Sequence, residues 1–109
     1  MHKDDLVYID HINESINKIR EYTKEFSKED FEKNELIQDA VIRNFEIIGE
    51  AAKRISDSFK QTYREIPWKE MSGMRDKLIH DYMGVDICVI WKTIQDDLPV
   101  FENFLKNIE

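Results

Sequence analysis

"NELIQDAVIRNFEIIGEAAKR", residues 34–54, decides the fold class. Ile37, Val41, Phe45, Ile48 and Ala52 recur every three or four positions, which gathers them on one face of an α-helix. The same spacing continues to Ile55 and Phe59, so it predicts a long helix opening near Asn34. Gly49, Ala51 and Ala52 fall within that helix. Glycine there costs roughly 1 kcal/mol against alanine, so its presence predicts that another helix approaches closely at this point.

Working outward, helical spacing appears on both sides. Upstream, Leu6, Ile9, Ile12, Ile16, Ile19, Tyr22 and Phe26 form a stripe, with Asp4 and Asp5 at its start, where the helix dipole favours acids. Ser27 with Asp30 three residues on reads as a new N-cap, so "SKEDFEKN" is predicted to be a short connecting helix. Downstream, "REIPW" breaks the pattern, because Pro67 disfavours a helical conformation at Ile66. A further helix is predicted to start between Trp68 and Met74 and to end at Gly84. Asp86 caps a last helix with the stripe Ile87, Ile90, Trp91, Ile94, Leu98, Phe101, Leu105 and Ile108. Pro99 is expected to kink or restart it. Only three glycines and two prolines occur, and no run alternates cleanly at period two. The expectation is an all-α, up-and-down bundle of four main helices with a short connecting helix, in one domain spanning residues 1–109.

Composition narrows the function classes. Sixteen Lys and Arg against 23 Asp and Glu leave a net charge of −7, which argues against a generic nucleic-acid coat protein but permits a small basic cleft. So short a chain buries only part of its apolar surface, and a partner is expected. The single cysteine, Cys88, cannot form an intramolecular disulfide; flanked by Ile87 and Val89, it is expected to be a small buried hydrophobe. No apolar stretch approaches the roughly 20 residues of a membrane span and no signal peptide opens the chain, so a soluble cytoplasmic domain is expected.

Chemistry concentrates in "MRDKLIHDYMGVD", residues 74–86. On composition alone this run reads as a solvated helix end with cations near the dipole's negative pole. Read as one helix, it puts Asp76 and His80 on a shared face, where the carboxylate can hold the imidazole tautomer. Arg75 and Tyr82 share another face. Arg75 and His80 would diverge by roughly 140°, so they meet over one substrate only if the helix loosens before Gly84 or a second copy completes the site. An arginine fork for phosphate oxygens beside a histidine that shuttles protons permits RNA cleavage without a metal. Competing chemistries lack their residues. No Glu stands three positions before His2, His11 or His80 as a bundle metal site would require, and neither a phosphate-binding glycine loop nor a nucleophile elbow occurs.

Arg75, His80 and Tyr82 form an R-x4-H-x-Y pattern that resembles the signature of the HepT toxins, a branch of the HEPN superfamily. "QDAVIRNFEIIGEAAKRI" before it, its own "IPWKEMSGMRDKLIHDYMGVD" and "VIWKTIQDDLP" after it are similar to the same branch, so the resemblance runs from about Leu6 to Leu105. It implies an all-helical, metal-independent endoribonuclease toxin of a type VII-like toxin–antitoxin pair, needing no cofactor and working as a homodimer with RNA as substrate. Arg75 would stabilise transition-state charge, His80 would act as general acid/base and Asp76 would orient the imidazole. A minimal nucleotidyltransferase antitoxin would silence the enzyme by transferring AMP to Tyr82. Arg43 and Glu46, or Glu50, would brace Arg75. Because the chain is acidic overall, local charge from Arg75, Lys77 and Arg43 is expected to draw the RNA. The alternative is a non-catalytic helical module that holds a nucleotide or a nucleotidyltransferase partner in the same cleft.

Overall fold

In the computed structural model, the backbone is described for residues 3–81 and 84–108 and the side chains for 4–78 and 86–108. Three long helices carry the fold: α1 (Lys3–Thr23), α3 (Glu35–Arg54) and α7 (Ile87–Leu105). Four short ones lie between them: α2 (Lys28–Glu32), α4 (Asp57–Thr62), α5 (Trp68–Ser72) and α6 (Met74–Leu78). The α1 helix packs along α3, α7 lies against α1 and α2, and α5 and α6 cover another flank of α3. Architecture is therefore all-α, with the fourth bundle position filled by α5 and α6 in succession.

The helix starts follow from local chemistry. Ser27 accepts from the Asp30 amide at 3.1 Å while Asp30 accepts from the Ser27 amide at 3.0 Å, a complete capping box. These bonds, the backbone one first, hold the Asp30 carboxyl below the ordinary aspartate range. Asn34 caps α3 through the Ile37 amide, and Asp86 caps α7 through the Cys88 and Val89 amides. The α7 helix continues through Pro99 rather than ending there.

One apolar core joins all of these elements. Ile12, Ile16 and Ile19 of α1, Val41, Phe45 and Ile48 of α3, and Ile90, Ile94 and Leu98 of α7 are buried within it. Each such side chain contributes on the order of 1.5–3 kcal/mol by leaving water. Phe31 from α2 closes one end against Trp91, with ring centroids 5.3 Å apart.

Three local expectations are corrected. The stripe from Ile37 to Phe59 is not one helix: Ile55 takes an extended conformation at the end of α3, and Ser56 caps α4 through the Phe59 amide. Leu6, expected in the α1 stripe, is 42% exposed, and Asp5 is buried in its place. Asp5 accepts from the Ser56 backbone amide at 2.8 Å and from the Ser56 hydroxyl at 2.6 Å, which compensates its desolvation. Cys88 is exposed, because it stands roughly 200° around the helix from core-facing Ile90.

Candidate active site

Gly73, the C-cap of α5, separates it from α6, and both short helices pack on α3. Gly49 eases the close approach of α5: a Cβ there would meet the Ser72 carbonyl oxygen at 3.3 Å and that of Met71 at 3.4 Å. This is the close packing that a glycine inside the long helix led us to expect. Met74 and Leu78, one helical turn apart, anchor α6 in the core and leave Arg75, Asp76 and Lys77 exposed between them.

The two cations of α6 reach different long helices. The Arg75 guanidinium donates through Nε to Oε2 of Glu46 on α3 at 3.4 Å, a half-exposed pair that stays open to solvent. Lys77 pairs instead with Asp97 on α7. Of the three residues expected to brace Arg75, Glu46 does meet it. Arg43 and Glu50 face a separate groove beside α1, which they line with Tyr8 and Ile47. Asp97 escaped sequence reading, because nothing in the last helix marks it as a partner for a lysine twenty residues earlier.

The expected single helix through "RDKLIHDY" ends at Leu78. Ile79–Asp81 (β1) forms an antiparallel pair with Gly84–Val85 (β2), with Ile79 opposite Val85 and Asp81 opposite Gly84. A β-branched residue after Leu78 and the Gly84–Val85 sequence favour this extended pairing over further helical turns. Helical projection therefore no longer relates Asp76 to His80, Arg75 to Tyr82, or Arg75 to His80. Loosening before Gly84, one of the two conditions under which Arg75 and His80 can converge, is present in the backbone. His80 occupies the centre of β1; its side chain, and Tyr82 altogether, lie outside the described residues. Among the described residues no three His, Cys, Asp or Glu side chains are grouped as a metal site, and no helix is long and apolar enough to cross a membrane.

A chain built almost entirely of helices, with an arginine on a short helix and a histidine five residues on where that helix has given way to a short strand, defines a class: proteins of the HEPN fold. The structure superposes on the tri-AMPylated Shewanella oneidensis HEPN toxin, solved in complex with an MNT antitoxin. Its TM-score is 0.73 at 21% identity, covering 97% of this chain and 96% of that one. The profile of the HepT-like ribonucleases matches residues 12–108, and the chain belongs to that family. A Thermococcus cleftensis protein named probable ribonuclease HepT is 53% identical over 98 residues, covering 90% of this chain and 86% of the relative. A Methanocaldococcus jannaschii protein, whose name pairs a gamma-glutamylcyclotransferase with a proposed RNase, is 47% identical over 110 residues. That match covers all of this chain and 50% of the relative, so this chain corresponds to about half of that longer protein.

Proposed function

We propose that this protein is a metal-independent endoribonuclease toxin, acting in the cytoplasm as a homodimer and restrained by a minimal nucleotidyltransferase antitoxin. The observation that carries this reading is Arg75 held on the surface by Glu46, five residues before His80, in a chain of the HepT-like ribonuclease family. In the reaction the ribose 2′-hydroxyl attacks the adjacent phosphorus and the 5′-oxygen of the next nucleotide leaves. His80 takes the proton from the attacking hydroxyl or returns one to the leaving oxygen. Arg75 stabilises the charge that builds on the phosphoryl oxygens. The products are a 2′,3′-cyclic phosphate and a 5′-hydroxyl. Asp76, exposed on α6 one residue after Arg75, keeps the imidazole-orienting role that the family resemblance implies, and Glu46 positions the guanidinium. A second protomer completes the cleft with its own copy of the motif.

Silencing follows the pattern suggested by the AMP-modified structural relative: the antitoxin transfers AMP from ATP to the Tyr82 hydroxyl, releasing pyrophosphate. The added phosphate and nucleoside block RNA by repulsion and occlusion. The test combines three measurements on the purified protein. Cleavage of RNA should persist in EDTA and fall ~100-fold or more in both His80→Ala and Arg75→Ala. Mass spectrometry after co-expression with the antitoxin should place AMP on the peptide containing Tyr82. Light scattering should give a dimer mass. RNA cleavage undiminished by His80→Ala, or abolished by EDTA, refutes the catalytic assignment; AMP on a peptide lacking Tyr82 refutes the switch alone.

A further inference from the structure

On the outer surface of the α1–α3 layer lies a groove of about 280 Å³, floored by Ile47 and the buried Ala51 and walled by Tyr8 and His11. The two rings meet edge to face, with centroids 6.3 Å apart and planes at 75°. Arg43 and Arg54, both exposed, border the groove, and among the described residues neither has a carboxylate partner. The acid on its rim, Glu50, lies 3.8 Å from Lys53. In a chain of net charge −7, two unpaired arginines beside an aromatic pair concentrate positive charge where the overall balance opposes it. Arg43 also stands three residues before Glu46 on α3, so the groove begins one helical turn from the Glu46–Arg75 pair.

We infer that this groove holds a nucleotide of the single-stranded RNA substrate next to the cleavage site, an assignment that rests on the ribonuclease reading above. Its base lies against the Tyr8 and His11 rings and the Ile47 side chain, and its flanking phosphates engage Arg43 and Arg54. The volume is near the lower bound of ordinary ligand sites, roughly 300 Å³, which suits one base with its sugar rather than a folded partner. An aromatic wall with flanking cations is the combination that binds single strands with little sequence preference, since every base has a π-face. The strand then runs from Arg75 across Arg43 into the groove, away from Lys77, which pairs with Asp97 on α7.

Binding of a short fluorescein-labelled 2′-O-methyl RNA, which lacks the attacking hydroxyl, is measured by anisotropy against salt with the full-length protein. Tyr8→Ala should weaken binding about tenfold, while Tyr8→Phe keeps the ring and binds as the parent does. Arg43→Gln and Arg54→Gln should each flatten the slope of log K against log salt by about 0.7, and Arg54→Lys should preserve it. If Tyr8→Ala and both glutamine variants keep the parent affinity and slope while the parent protein cleaves RNA, the groove assignment is wrong and the nuclease stands. Equal loss in Tyr8→Phe and Tyr8→Ala also overturns the stacking role. A parent protein that neither binds nor cleaves RNA overturns both readings.

Discussion

Replacing Asp5 by alanine should destabilise this protein more than any substitution elsewhere in the first turn of α1. Its buried carboxylate accepts from the Ser56 amide at 2.8 Å and from the Ser56 hydroxyl at 2.6 Å, tying the start of α1 to the junction of α3 and α4. Hydrogen bonds to an ionised acceptor contribute about 1.5–3 kcal/mol each. Ser56 is only half-buried, so water recovers part of the loss and the expected cost is about 2–3 kcal/mol. Ser56→Ala removes the hydroxyl bond and the 3.3 Å cap on the Phe59 amide but keeps the backbone bond to Asp5, so its expected cost is about 2 kcal/mol. Urea denaturation of both variants and of the double variant completes a cycle, with an expected coupling of about 1 kcal/mol. An Asp5→Ala variant within about 0.5 kcal/mol of the parent, the range of an ordinary surface change, would refute the reasoning. So would additive single effects.

Other outcomes follow from the same geometry. Gly49→Ala should stay within about 1 kcal/mol of the parent, because helix propensity offsets its tight contacts with the Ser72 and Met71 carbonyls. Gly49→Val, whose extra methyls reach further into α5, should cost about 2–3 kcal/mol in the same urea assay. Glu46→Gln should lower RNA cleavage about tenfold through a displaced Arg75, yet change stability by less than about 1 kcal/mol, since the pair is solvent-exposed. Equal loss of stability and activity would make Glu46 merely structural. Asp30 is held below its ordinary range by the Ser27 amide, so its cap is formed above that range and released as pH falls through the lowered value. The Ser27 amide resonance should accordingly titrate with a midpoint below that of an unperturbed aspartate.

Much of the helical framework was legible because its causes are local. The spacing of Ile12, Ile16 and Ile19, of Val41, Phe45 and Ile48, and of Ile90, Ile94 and Leu98 names the core faces of the three long helices. Ser27, Asn34 and Asp86 announce helix starts through bonds to amides two or three residues away, and Pro67 announces a break. The motif positions of Arg75, His80 and Tyr82 were likewise readable as residue types at fixed intervals.

Partners across the fold were not. Apolar spacing runs unbroken from Ile48 through Ala52 and Ile55 to Phe59, so periodicity alone could not reveal that Ser56 ends one helix and begins another with Asp5 as its distant acceptor. Nor could it show that the motif helix stops at Leu78, where pairing of Ile79–Asp81 with Gly84–Val85 competes with further helical turns. Glu46, Arg43 and Glu50 were equivalent candidates in sequence, since all lie on solvent-facing positions of one helix. Only Glu46 meets Arg75. That choice depends on how α3 is rotated against α5 and α6, and the rotation is set where Gly49 admits the Ser72 carbonyl. Helix identity is a property of neighbouring residues, whereas the angle at which two helices meet belongs to the packed core as a whole.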